Sequence, residues 1–262
     1  MSSEAPARVE RDGDGVAVVT ISSPPLNLFD ERMQDALEAA VEELHASLPR
    51  AVLFRAEGRV VSGGVDVALF AALETAEAAT GVFARLVALA RGVEQLPCPT
   101  VFAAHGLCLT WAFELALACD LIVATPTASF GLVERVIGLT PAMGGTQRLA
   151  ERAGSGRASE LVMTGERFGA EALERWNVVN RVLPEEGFEE AVRELVRGLA
   201  VGPPLAHAAT KRVIEAYRTG GVEGANERVS EIAGGLFETE DLRGAVRTFL
   251  EQGPGKATFE GH

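Results

Sequence analysis

Glutamates 114 and 134 are the residues of this chain best placed to move protons. Glu114 lies in "AFELALA" and Glu134 in "FGLVERVIGL", each among apolar neighbours. A buried carboxylate loses hydration that little replaces, so it is normally paired. For each glutamate alone a salt bridge is the plain explanation, and Arg135 stands beside Glu134 to provide one. For both together, joined by "DLIVAT" and its turn, a shared pocket is the alternative. Trp111 stands three residues ahead of Glu114, so an indole and then a carboxylate head an apolar helix in "CLTWAFELALACD" (108–120). In "SGGVD" (62–66) the adjacent Gly63 and Gly64 precede another helix. A tight turn accounts for such a pair. The functional alternative is a backbone that approaches a ligand, with the next amide exposed at a helix start.

The elements that must position these groups follow from the pattern. "GVAVVTI" (15–21), "AVLFR" (51–55), "TVFAAH" (100–105) and "DLIVAT" (120–125) are short apolar runs bounded by turn residues and read as strands, with "ASF" (128–130) a shorter extended piece. Met33, Ala36, Leu37, Ala40, Val41 and Leu44 share one face of a helix with Asp30 as its N-cap. Strand, turn and helix alternate, as in stacked βα units. Beyond about residue 150 the pattern turns helical, interrupted by the apolar "VVNRVL".

Several function classes are excluded or weakened. With 262 residues, 47% of them apolar, the chain can bury a sizeable core. A net charge of −13 argues against a nucleic-acid surface and against a polybasic membrane anchor. It leaves a small anionic ligand open, because charges beyond roughly 8 Å are screened and local residues decide. Cys98, Cys108 and Cys119 show no CxxC spacing and read as buried reduced thiols; the four histidines are scattered, so no metal is expected. "GSGRAS" lacks the dinucleotide fingerprint, no P-loop occurs, and Ser62 in "VVSGG" is not a GxSxG nucleophile. The polar N-terminal "MSSEAPARVERDGDG" and the lack of an apolar run of about 18 residues suggest a cytoplasmic protein off the membrane.

Four segments in register carry a resemblance. "VVSGGVD" is similar to F-S-A-G-A-D, and "GLCLTWAFELALACDLIVA" to G-x-A-x-G-G-G-x-E-L-A-x-x-C-D. "FGLVERVIGLTPAMGGTQRL" is similar to F-G-x-P-E-x-x-x-G-x-x-P-G-x-G-G-T-Q-R-L, and "NVVNRVLP" with "DLRGAVRTFLEQ" fits the C-terminal part. On these residues the chain resembles the crotonase (enoyl-CoA hydratase/isomerase) superfamily over essentially its whole length. The resemblance implies an α/β spiral of ββα units over residues 1–195 and a helical trimerisation or lid region over 196–262. It implies a homotrimer or hexamer that takes an acyl-CoA thioester and needs no separate cofactor, since coenzyme A is part of the substrate.

By position, the resemblance assigns the N–H groups of Val65 and Trp111 to an oxyanion hole and Glu114 and Glu134 to catalysis. It places Gly63, Gly64, Asp66, Val67 and Ala142 along the substrate and Phe249 against the nucleotide half of CoA. Family members that hydrate a 2-enoyl-CoA keep both acids, which implies an enoyl-CoA hydratase. Glu114 would hold and deprotonate the water while Glu134 serves Cα. The alternatives are a double-bond isomerase or specialised dehydratase using the same hole, and a non-catalytic acyl-CoA binder. Departures stand out: "TWA" (110–112) replaces the triple glycine, Val133 replaces a proline, Ala142 a frequent glycine, and Gln252 a lysine that Lys256 would substitute. The indole must either line the acyl pocket or wedge into the core, and the expectation is that it reshapes the acyl cavity.

Overall fold

The computed structural model describes residues 5–262; residues 1–4, the start of the polar N-terminal stretch, lie outside the described residues. Strand β1 (Ala7–Arg11), concealed by its charged composition, pairs antiparallel with β2 (Val16–Ile21). Helix α1 (Glu31–Ala46) follows, and Asp30 caps it by accepting the Met33 N–H at 2.8 Å. Its buried Met33, Leu37, Ala40, Val41 and Leu44 form the anticipated face. Next come β3 (Ala51–Ala56), the single turn α2 (Ala68–Ala71) and α3 (Ala76–Glu94), capped by Thr75.

The chain then repeats a strand, a shorter strand and a helical turn. These are β4 (Thr100–Ala104), β5 (Leu107–Leu109) and α4 (Trp111–Ala118), then β6 (Leu121–Ala124), β7 (Ser129–Gly131) and a 3-10 turn (Glu134–Ile137). The helix anticipated from residue 108 thus begins only at Trp111, because Leu107–Leu109 is a strand. Helices α5 (Gly145–Ala153) and α6 (Ser155–Thr164), strand β8 (Phe168–Gly169), α7 (Ala170–Arg175) and β9 (Arg181–Val182) come next. Helices α8 (Phe188–Ala200), α9 (Pro204–Gly235, kinked at Gly221) and α10 (Glu240–Gln252) finish the chain.

Among the described residues the main sheet runs β1-β2-β3-β4-β6-β9, parallel except for β1, and a second sheet runs β5-β7-β8. The central strands are largely apolar because both faces of the sheet are covered. Ala17, Val19, Val52, Phe54 and Phe102 face the core beneath α1, α3 and α4. Val18, Leu53, Val101 and Val123 face Phe188, Val192 and Val196 of α8. A division after residue 195 therefore cuts through α8, a helix that packs on the sheet. The overall class is α/β, as expected.

The second sheet sets the site. Ser62 bridges Cys108, and Cys108 pairs with Phe130, so three successive turns of the spiral stand in register. Three residues beyond Ser62 comes Val65, three beyond Cys108 comes Trp111, and four beyond Phe130 comes Glu134. Equivalent exits from three stacked turns deliver groups that lie up to 69 residues apart in sequence.

Candidate active site

The loop that carries Val65 is fixed from beneath by Asn27. This residue sits at φ +50° and is 2% exposed. Its Nδ2 donates to the carbonyls of Glu57, Val60 and Val61 at 3.0–3.2 Å, and its Oδ1 accepts from the Ser23 N–H. The Phe29 N–H donates to Gly64 O at 3.0 Å and the Asp66 N–H to Phe29 O at 2.9 Å. This parallel bridge leaves the Val65 N–H pointing away from Phe29. Among the described residues no acceptor takes it.

The second donor comes from the head of α4. Thr110 has φ +50° and ψ −119°, a conformation a β-branched residue rarely adopts. Its carbonyl accepts the Glu114 N–H at 2.9 Å, while the N–H of Trp111, at the first helical position, has no protein acceptor among the described residues. The two donors are neighbours. Leu109 N–H donates to Ser62 O at 3.2 Å, and a Cβ on Gly64 would stand 3.5 Å from Thr110 Oγ1. Two free N–H groups side by side, one at a helix start, suit an oxygen that gains negative charge.

Glu114 follows one helical turn after Trp111 and is 3% exposed. Its Oε2 accepts from the N–H groups of Met143 (2.9 Å) and Gly145 (2.7 Å) at the start of α5. Burial pushes its carboxyl up to about 7, against the pull of those N–H groups and of the Arg148 charge. Glu134 is 9% exposed and its Oε2 has no hydrogen-bond partner. Burial, and then repulsion from Glu114, push its carboxyl up to about 8. The two glutamates leave adjacent turns of the spiral, four residues beyond Phe130 and six beyond its strand partner Cys108. The salt-bridge alternative does not hold: among the described residues neither glutamate has an ion-pair partner, and Arg135 donates to Thr164 O instead.

The 143–145 loop is tied down by groups with no signal in the sequence. Arg148 donates to Met143 O at 3.3 Å and to Gly144 O at 3.2 Å, and pairs with Glu94 of α3 at 3.0 Å. Arg218 of α9 reaches the same Glu94 at 2.8 Å. "GGTQRL" displayed the arginine, but Glu94, 54 residues away, could not be read as its partner.

The other anticipated residues are distributed unevenly. Gly64 is buried, while Gly63 and Ala142 are half-buried. Asp66 is half-buried and accepts the Ala68 N–H at 3.0 Å, and Val67 is 59% exposed. Phe249 is 58% exposed on α10 and packs in neither core cluster. Of the two placements anticipated for the Trp111 indole, the structure shows the core one. It is 2% exposed, lies 5.3 Å from the Phe29 ring, and donates from Nε1 to Gly64 O at 3.1 Å. The cavity of about 190 Å³ between β3, β4 and α8, lined by Arg55, His105 and Arg193, lies across the sheet and touches neither glutamate.

Cys98, Cys108 and Cys119 are free and buried, and burial raises the Cys98 thiol to about 11, which suits inert core thiols. Among the described residues no helix is long and apolar enough to cross a membrane, and no His/Cys/Asp/Glu group is arranged to hold a metal.

Comparison with known proteins bears on the family and the fold. The family model for enoyl-CoA hydratase/isomerase matches residues 11–262. A carnitinyl-CoA dehydratase of Salmonella arizonae is 34% identical over 82% of this chain and 82% of its own. A short-chain-enoyl-CoA hydratase of Clostridium acetobutylicum is 29% identical over 93% of this chain and 94% of its own. The crystal structure of an enoyl-CoA hydratase from Bacillus anthracis superposes with a TM-score of 0.90 at 25% identity, over 98% of this chain and 100% of that one. With the family model spanning residues 11–262 and the fold shared with a solved enoyl-CoA hydratase, this chain belongs to the enoyl-CoA hydratase/isomerase (crotonase) family.

Proposed function

We propose that this chain catalyses the reversible addition of water to a trans-2-enoyl-CoA thioester. One observation carries the reading: two buried glutamates without ion-pair partners leave adjacent turns of the spiral, whose register also brings out two main-chain N–H groups with no protein acceptor among the described residues. The N–H groups of Val65 and Trp111 hold the thioester oxygen and stabilise the charge it gains as the enolate forms. Removing one such donor typically costs about 3–4 kcal/mol of barrier. Glu114, whose ionised form is favoured by two N–H donors, takes a proton from water as the water oxygen bonds to Cβ. The displaced π electrons pass to the thioester enolate. Glu134, whose isolated oxygen favours the neutral form, gives its proton to Cα as the enolate collapses. The proton lost by water ends on Glu114 and Glu134 is left ionised, so a proton must return between them before the next turnover.

By the family resemblance many isomerases keep one acid as the proton carrier, whereas this chain has glutamate at both positions, which favours hydration. Exposed Val222, Val229, Phe237, Val246 and Leu250 on α9, α10 and the turn between them support a homotrimer or hexamer assembled through these helices.

The test is loss of the enoyl absorbance of crotonyl-CoA, set beside turnover of a 3-enoyl-CoA. Hydration with the parent, reduced about 10²–10⁴-fold in Glu114→Gln and in Glu134→Gln, supports the proposal. Turnover of the 3-enoyl substrate alone, or parental hydration in either variant, defeats it.

A further inference from the structure

We propose that the indole of Trp111 is a positioning residue for the oxyanion hole, acting through the Gly64–Val65 peptide. This rests on the reading of the Val65 N–H as a donor to the thioester. Gly64 O and Val65 N are opposite ends of one planar trans unit, so whatever holds the carbonyl aims the N–H the other way. The carbonyl is held twice, by Phe29 N at 3.0 Å and by Trp111 Nε1 at 3.1 Å. Ser62 Oγ lies 3.3 Å from the same oxygen, but its single proton has a nearer acceptor in Asn27 O at 2.9 Å. Phe29 and Trp111 therefore occupy the two lone pairs.

The clamp acts on a soft joint. Gly64 has φ +115°, a conformation that glycine adopts freely, so the peptide plane can rock about it. The indole is immobile by comparison, buried at 2% exposure against the Phe29 ring. Two donors on one carbonyl also polarise the amide, which makes its N–H a stronger donor. Trp111 thus supplies one N–H of the hole from its backbone and orients the other from its side chain. A family glycine at this position could do only the first.

The experiment compares the parent with Trp111→Phe, which keeps a ring beside Phe29 but has no N–H. A second variant carries 3-benzothienylalanine at position 111, which keeps the bicyclic volume and also lacks the donor, in case the smaller ring disturbs folding. Two quantities are read: kcat and KM on crotonyl-CoA, and the infrared carbonyl stretch of bound butyryl-CoA labelled with 13C at the thioester. The expected result in both variants is a loss of roughly tenfold in kcat, a fraction of the 10²–10³ for deleting a donor. KM stays within about twofold, and the stretch returns toward its value in solution. Parental kcat and parental stretch in the benzothienyl variant overturn the proposal. If the parent shifts the stretch but does not hydrate crotonyl-CoA, the hydratase reading falls, and the stretch alone decides for or against the indole. A parent that leaves the stretch unshifted has no working hole, and the proposal fails with it.

Discussion

Replacing Gly145 by alanine tests whether the position of Glu114, rather than its mere presence, is what the fold protects. A Cβ at Gly145 would stand 2.6 Å from Glu114 Cγ, 3.0 Å from Oε2 and 3.1 Å from Cδ. Carbon atoms pack at roughly 3.5–4.0 Å, so the carboxylate must retreat by about 1 Å. Glu114 has no room to do so without leaving its donors, because its Oε2 is held by Met143 N and Gly145 N in a filled core. The backbone at Gly145 is helical, so alanine brings no conformational strain of its own, and it favours a helix by up to about 1 kcal/mol. The clash and the propensity oppose each other in stability. In catalysis only the clash counts. A misplacement of about 1 Å typically costs on the order of 10² in rate, or ~2.7 kcal/mol. Crotonyl-CoA hydration by Gly145→Ala should therefore fall about 100-fold in kcat, while the thermal midpoint moves by no more than about 4 °C. Hydration within twofold of the parent would show that Glu114 need not sit where the α5 N-terminus holds it. A loss of activity that tracks a loss of folded protein would equally refute the reasoning.

Three further outcomes are expected. The pH–rate profile should be bell-shaped, falling below about 7 as Glu114 gains its proton and above about 8 as Glu134 loses one, with apparent values that belong to the pair; a flat profile across that range contradicts the assignment. Both carboxyls sit above the ordinary value of 4.5, so the folded state binds more protons than the unfolded chain, and stability falls as pH rises from about 4.5 through 8; Glu134→Gln removes part of that cost and should be more stable than the parent at pH ~9 by a few kcal/mol in denaturant titrations, with little difference at pH ~4, and an unchanged pH slope refutes this. Asn27→Ala removes the side chain that ties three carbonyls beneath the Val65 loop and leaves alanine at a positive φ, so it should lose about 2–4 kcal/mol of stability and depress kcat beyond any change in folded fraction; a parental unfolding midpoint opposes it.

By itself the sequence determined what is decided within a few residues. The β-branched and apolar runs that became β2, β3, β4 and β6, the buried face of α1 and the Asp30 cap were all legible, because strand and helix periods and caps act over one or two turns of chain. The two glutamates were legible as anomalies, since charge in apolar company needs an explanation wherever it occurs. Strand β1 was not, because its alternation is masked by Arg8, Glu10 and Arg11, and the head of α4 was misjudged because a three-residue strand carries too little pattern. Tertiary structure alone decided which explanation applied to the glutamates. That Glu134 is left unpaired while Arg135 turns to Thr164 O follows from how the turns of the spiral stack, with Ser62, Cys108 and Phe130 in register. Tertiary packing likewise turned the indole toward Gly64 and brought Glu94 to Arg148. Contacts between residues tens of positions apart are set by how layers stack, and no local period encodes that stacking.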